Sequence, residues 1–341
     1  MQCGPDPSNL KCEKEMSVRS GLKYVGWNPK NPVEKTLEFF KYDAEYADDP
    51  DTTSLNSTLY LEEGNTDDHF FVTDPRGFDI FLQEMKKALP PGVLKLKKNV
   101  TSVDWTGSDK VIVHTEDGSK YTAEYVLCTF SIGVLANNMV RFEPKLPDWK
   151  LTEIYKFRMT WFTKIFIKFP SAFWAENEWI LYADNRRGYY PVFGNLNAAI
   201  PNTLLLIVVG EESRRIEGQN DTKTKDEIMT ILRKIYNEDI EDPEAIYVTK
   251  WGMDPLQYGS FSNWPPEVSE ECYRYLQAPV GRLYFAGEAT HEKYNGYLQG
   301  AYLTGQEQAK LIHQALGDSQ KLDSSYWFVF PLVAIHVSKI L

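Results

Sequence analysis

The run Arg282-Leu283-Tyr284-Phe285-Ala286-Gly287-Glu288 reads as an apolar strand ending in a small residue, a glycine and a carboxylate, with a glycine-punctuated helix downstream. A glycine at that place lets a ligand come close to the backbone, and the N-terminus of a following helix favours negative charge. A second candidate is Lys164 in Trp161-Phe162-Thr163-Lys164-Ile165-Phe166-Ile167-Lys168-Phe169. Strand alternation puts Lys164 on one face with Phe162, Phe166 and Lys168, and rings beside an ammonium strip it of water and lower its pKa. On residue types alone both stay open. The first also fits a buried strand and an ordinary turn, the second a surface lysine on a half-exposed strand.

These groups must be held by a chain of 341 residues, 43% apolar and 14% aromatic, enough for one large domain or two medium ones. Its net charge of −11 argues against nucleic acid or an anionic lipid surface as main partner, since both need clustered Lys and Arg. A cationic small molecule is better tolerated, although acidity also serves plain solubility. Four cysteines without a CxxC pair and five scattered histidines give no metal site of familiar spacing. Cys3 and Cys12 are close enough to bridge in an oxidising compartment, and Cys128 reads as a buried thiol. Sequons stand at Asn56, Asn99 and Asn220. No signal peptide is read at Met1. The apolar run from Tyr326 to Ile335 is too short and interrupted for a membrane span, but after Gly317-Asp318-Ser319 it permits a lipid-anchor signal.

The pattern is mixed α and β. Helices are expected over Thr36–Tyr46, ended by Asp48-Asp49-Pro50-Asp51, and after an Asp74-Pro75 cap, with Phe78, Phe81, Leu82, Met85 and Leu89 on one face and Pro90-Pro91-Gly92 as the stop. Another is expected over Thr224–Tyr236, with a Thr224-x-x-Glu227 capping box and Ile228, Ile231, Leu232 and Ile235 on its apolar face. Val100–Trp105, Lys110–Thr115 and Lys120–Thr129 predict an antiparallel meander; Trp161–Phe169 and Thr203–Val209 predict further strands.

From Val280 to Leu316, and above all in Ala289-Thr290-His291-Glu292-Lys293-Tyr294-Asn295-Gly296-Tyr297-Leu298-Gln299-Gly300, the chain closely resembles the C-terminal flavin-binding segment of polyamine oxidases, within the flavin-dependent amine oxidases. The resemblance runs from about Tyr42 to Leu316. It implies that Glu288 bonds the ribityl and phosphate region of FAD, that Gly287, Gly296 and Tyr297 lie against the cofactor, and that Tyr297 also faces the substrate amine. Val100 falls where the family's backbone meets the adenine. Lys164 takes the place of the lysine that contacts flavin N5 through a water. Trp251-Gly252-Met253-Asp254-Pro255-Leu256-Gln257-Tyr258-Gly259-Ser260-Phe261-Ser262-Asn263-Trp264-Pro265 matches a further family stretch, in which Phe261 is the second aromatic wall. Paired aromatic faces suit an amine because they exclude water and orient it. Ser260 stands where monoamine oxidases carry a flavin-linking cysteine, which implies a non-covalent flavin. Tyr42-Asp43-Ala44-Glu45-Tyr46-Ala47 resembles the tunnel segment, with Glu45 and Tyr46 receiving a distal ammonium.

The expectation is therefore an α/β chain with an incomplete FAD-linked amine-oxidase fold, in which two domains interleave. Residues 1–70 and 146–272 would form the substrate domain, 71–145 and 273–317 the FAD-binding domain, and 318–341 a tail. The implied reaction is oxidation of secondary amines of spermine or spermidine by FAD and O2, giving an aldehyde, an amine and hydrogen peroxide. No GxGxxG occurs in these residues, so the diphosphate cradle of the family is not among them. The alternative is an inactive remnant that binds a polyamine or a partner without FAD. Likeness to extracellular plant-type enzymes, the sequons and the apolar tail point to the secretory route.

Overall fold

The computed structural model describes residues 16–62, 72, 74, 76–236 and 239–317. These form two compact units: one runs up to Thr58 and resumes over Met159–Glu267, the other comprises Leu59–Arg158 and the residues from Val268 onward. The interleaving of these units switches at 58, 158 and 267. Lys150 ties its helix into the second unit. Its side chain is fully buried, and its ammonium donates to the carbonyls of Tyr275, Leu276 and Ala278 at 3.1, 2.5 and 2.6 Å. It lies 3.9 Å from the centre of the Phe285 ring. The helix Asp148–Lys156 is thereby bound to the end of the helix Glu270–Gln277 and to the strand Leu283–Phe285.

The first unit is built on a five-stranded antiparallel sheet. Its order is Ala245–Val248, Phe162–Lys168, Thr203–Val209, Val192–Asn195 and Trp179–Leu181. Along Phe162–Lys168 the residues Thr163, Ile165 and Ile167 are buried while Phe162, Lys164 and Phe166 are half-buried on the other face, as alternation requires. Ile165, Ile167, Leu204, Leu206 and Val208 pack with Ile228, Ile231 and Leu232 of the helix Asp221–Ile235. Each such aliphatic side chain contributes about 2 kcal/mol by leaving water. That helix starts ahead of the expected Thr224 box: Asn220 is the cap, accepting from Lys223 N–H at 2.8 Å, and Asp221 opens the helix. Thr224 is buried, and Glu227 is drawn off to Arg215 and Tyr190.

The helix expected from Thr36 opens at Pro32, because the Asn31 side chain accepts from Glu34 N–H and proline suits a first turn. It continues from Pro32–Glu38 through a π-helical turn, Phe39–Asp43, into Ala44–Tyr46, and stops at Ala47 with φ 57°.

In the second unit, Lys120–Ala123, Val111–Thr115 and Val100–Asp104 form the expected meander, and Arg141–Glu143 adds parallel to Val100–Asp104. The third expected strand, however, is two. After Ala123 the chain breaks, and Val126–Cys128 pairs parallel with Leu283–Phe285 in a separate sheet. Arg282 marks the break: its guanidinium donates to the Ser108 and Glu124 carbonyls and lies over the Tyr125 ring. Cys128 is a buried free thiol that burial pushes up to about 12.

The helix after Asp74 spans Asp79–Lys87, later than its cap predicts. Asp74 instead closes a turn by accepting from Arg76 N–H and pairing with its guanidinium, and Gly77 follows with φ 56°. Phe78 and Phe81 are exposed. Pro75, Cys3, Cys12 and the tail over 318–341 lie outside the described residues. Among the described residues no helix is long and apolar enough to cross a membrane.

Replacing Lys150 by methionine strips one buried and two part-buried carbonyls of this donor. We expect a loss of about 2–3 kcal/mol, read as a lower urea midpoint of the purified chain, with the second unit unfolding first by hydrogen exchange.

Candidate cofactor and amine site

In the second unit the strand Leu283–Phe285 delivers Gly287 in an extended conformation with φ 135°, which side-chain-bearing residues rarely adopt. No heavy atom lies within 4 Å of where a Cβ would sit, so the space in front of Gly287 is open. Its backbone is held on both sides. The Thr304 hydroxyl accepts from Gly287 N–H at 3.2 Å, and the Thr290 hydroxyl donates to Gly287 C=O at 2.8 Å. Glu288 then folds back, one carboxylate oxygen accepting from Gly296 N–H at 2.7 Å. His291 steadies the loop between them, its Nδ1 accepting from Lys293 and Tyr294 N–H, and burial pushes its pKa below the usual range.

Gly296, with φ 81°, turns the chain into the helix Leu298–Leu316, whose N-cap is Tyr297. Gly300 lies in the first turn of that helix, and a Cβ there would stand 2.1 Å from the Tyr294 carbonyl oxygen. Only glycine lets the loop rest on the helix. Tyr297 is 41% exposed, a large ring left at the surface. Gly287, Glu288, Gly296 and Tyr297 are thus brought together. Val100 stands apart from them in the other sheet of the same unit, heading the strand Val100–Asp104 opposite Thr115, where the register shifts before Ser102.

In the first unit Lys164 is half-buried with its ammonium 5.7 Å from the Phe162 ring centre, and burial lowers its pKa. The Phe162 and Phe261 rings are 6.1 Å apart. With Phe40, Ala44, Trp179 and Ile207 they pack as half-buried groups on a small core of Phe39, Ala47, Val192 and Val209. Phe40 and Trp179 meet edge to face at 5.6 Å. The result is an apolar, largely aromatic surface beside one desolvated amine. Phe162 links two residues 97 apart in numbering: its ring centre lies 5.7 Å from the Lys164 ammonium and 6.1 Å from the Phe261 ring centre.

Tyr46 packs against Tyr42 at 4.6 Å and Trp264 at 6.3 Å. Glu45 is exposed on its helical turn, next to Ala44 of the aromatic cluster.

What residue patterns did not reveal is the bracing behind this surface. Lys164 N–H donates to the Thr249 hydroxyl at 2.8 Å, and Thr249 N–H donates to Lys164 C=O at 3.0 Å. Ser260 accepts from Phe162 N–H at 2.9 Å and lies 3.2 Å from Phe162 C=O. Glu217, only 3% exposed, accepts from the Thr163 hydroxyl at 2.9 Å and from Gly252 and Met253 N–H at 2.8 and 3.2 Å. Burial raises its pKa against those donors. Gly252 is obligatory here, since a Cβ would fall 2.1 Å from the Trp161 ring. A Glu at the end of the charged helix Gly210–Glu217 carries no signal of such a role; only packing reveals it.

The arrangement offers a strand-end glycine cradle with a carboxylate-closed loop in one unit, and in the other a low-pKa amine beside aromatic rings. The model of the family described as "Flavin containing amine oxidoreductase" matches residues 20–313. "Polyamine oxidase 7" of Oryza sativa subsp. japonica is 44% identical over 316 residues, covering 88% of this chain and 66% of the relative. "Polyamine oxidase 1" of Zea mays is 43% identical over 303 residues, covering 83% and 60%. The chain therefore spans less than two thirds of the length of these curated relatives. In fold it is similar to the solved "Cyclohexylamine Oxidase from Brevibacterium oxydans IH-35A", with TM-score 0.68 at 20% identity over 88% of this chain and 68% of that one.

Gly300→Ala should push the Tyr294 loop off the helix Leu298–Leu316 and cost about 1–3 kcal/mol. A denaturation midpoint equal to that of the unsubstituted chain would show that the helix absorbs the methyl group without moving the loop.

Proposed function

We propose that this chain, which belongs to the family of flavin-containing amine oxidoreductases, forms the greater part of an FAD-dependent oxidase of polyamines, the spermidine and spermine class. The reading is carried by one observation: a desolvated Lys164 set beside Phe162, with Phe261 against that ring. The names of the relatives from rice and maize support the substrate class.

The fit to a flavin is tested by Gly287. Its open front and side-chain-averse backbone leave a place that a ligand fills and a side chain does not. Gly287, Glu288, Gly296 and Tyr297 would hold the ribityl and ring side of FAD, and the Val100 backbone the adenine. Ser260 is engaged with Phe162 and offers no thiol, in keeping with a non-covalent flavin. When bound, the flavin supplies two-electron oxidation, with O2 as final acceptor and hydrogen peroxide as product.

The chain's own residues do the rest. The aromatic surface of Phe162 and Phe261 excludes water from an amine and favours its cation or its lone pair in a fixed direction. In the second unit Tyr297, exposed at the head of the helix Leu298–Leu316, would lie against a cofactor held by Gly287 and Glu288. Lys164, kept below the usual lysine range, exchanges a proton with a bound water more readily than an exposed lysine does. Glu45, exposed and on a helical turn, pairs a distal ammonium beside Tyr46 and so fixes which carbon is presented for oxidation. A secretory location is part of the same proposal; the exposed sequon residues Asn99 and Asn220 support it.

Purified with FAD, the chain should retain a flavin spectrum and release peroxide with spermidine or spermine; polyamine binding with no flavin retained would point to a non-catalytic remnant instead. Because the folded Lys164 pKa is lowered, its neutral form gains population at lower pH than an ordinary lysine. The pH profile of the loaded enzyme should rise with an apparent pKa below the ordinary lysine value, and Lys164→Met should remove that limb and cost roughly 10²-fold or more in rate. An unchanged profile in Lys164→Met would remove Lys164 from the chemistry.

A further inference from the structure

The segment from Glu38 to Asp49 holds the proposed distal-ammonium residues Glu45 and Tyr46, and it carries three carboxylates that converge on one guanidinium from elsewhere. Arg187, in the connection between the strands Trp179–Leu181 and Val192–Asn195, places Nη1 2.9 Å from Glu38 and Nη2 2.7 and 2.8 Å from the two Asp43 oxygens. Its Nε lies 3.1 Å from Asp49. Glu38 and Asp43 are almost completely buried, and Asp49 is partly exposed. Glu38 is shared: Arg19 donates to both its oxygens at 2.6 and 2.7 Å, and Trp27 Nε1 adds a third bond at 2.7 Å. Burial pulls the Glu38 carboxyl upward, but Arg19, Arg187 and Trp27 hold it below the usual range.

We propose that Arg187 is a positioning residue that fixes where Glu45 and Tyr46 stand, and through them selects amines by length. The inference rests on the assignment of those two residues to a distal ammonium. The three contacts bracket the segment, one carboxylate before the π-helical turn Phe39–Asp43, one at its end and one after Ala47. A π turn is a local departure that a plain helix does not hold without support, and such turns gather at functional sites. Gly188, next to Arg187, rests on the Phe39 ring, since a Cβ there would stand 3.5 Å from it. The same connection therefore grips the π turn by packing as well as by charge. Glu45 itself needs no contact with Arg187. Its backbone is two residues from Asp43, so the guanidinium sets its position and leaves its carboxylate exposed. Burial and the Asp49 and Glu38 charges push Asp43 up to about 7 while Arg187 pulls it down, so without Arg187 the turn loses that guanidinium anchor. A lysine keeps the charge but cannot reach three carboxylates with a planar fork.

The test uses the full chain with Arg187→Met, Arg187→Lys and Glu45→Gln. Calorimetric Kd values are compared for spermidine, which spans to a distal ammonium, and for n-butylamine, which has none. Arg187→Met should weaken spermidine roughly ten-fold or more and leave n-butylamine nearly unchanged, with Arg187→Lys in between. Hydrogen exchange should show faster opening of the amides over 39–47 and unchanged protection in Phe162–Lys168. Equal weakening of both amines, or unaltered exchange over 39–47, overturns the proposal. If Glu45→Gln binds spermidine as the unsubstituted chain does, the ammonium assignment fails, and the exchange measurement still decides whether Arg187 holds the segment. Should Arg187→Met not fold, Asp43→Asn, which removes one arm of the clamp, is expected to move both readouts in the same direction by less.

Discussion

In the first unit a buried carboxylate, Glu217, ties the central strand to the segment that leads to Phe261. Neutral donors from two separate segments satisfy Glu217, the Thr163 hydroxyl on the central strand and the Gly252 and Met253 N–H groups on the segment leading to Phe261. A desolvated carboxylate is costly unless several hydrogen bonds converge on it. Once they do, the two segments cannot shift apart without exposing that cost. Thr249 and Ser260 repeat the linkage at Lys164 and Phe162. The strand that carries Lys164 is therefore set by Glu217, Thr249 and Ser260.

The other unit solves its problem with backbone geometry rather than charge. Gly287, Gly296 and Gly300 each do what a side chain would forbid: an extended backbone at positive φ, a left-handed turn, and a helix turn in contact with a carbonyl oxygen. Glu288 and Thr304 convert those conformations into a closed loop by satisfying the N–H groups they expose. Rigidity here comes from hydrogen-bonded backbone, which suits a surface meant to lie against a flat polar cofactor. Lys150 plays the supporting part beneath it, closing the carbonyl end of one helix while resting on the ring of Phe285.

The acidic balance of the chain also acquires a location. In the first unit, Glu38, Asp43, Asp49 and Asp51 outnumber the guanidinium groups of Arg19 and Arg187 that they surround. Charge in excess of its partners, near an exposed Glu45, favours a cationic ligand and disfavours an anionic one.

The sequence by itself determined a good deal: the apolar alternation of Phe162–Lys168, the run Thr203–Val209, the meander and the strand-end Gly287, whereas a flavin role for Gly287, Glu288, Gly296 and Tyr297 was implied only by family resemblance. Each is local, because strand period and glycine placement are written in consecutive residues. Only the tertiary structure decided where Lys120–Thr129 divides, since a parallel pairing with Leu283–Phe285 more than 150 residues away takes Val126–Cys128 out of the meander. It also moved the helix caps to Asn31 and Asn220. The roles of Glu217, Arg187 and Lys150 were not legible at all. A buried charge is recognisable only from its surroundings, and those are brought together by contacts between residues far apart in the chain.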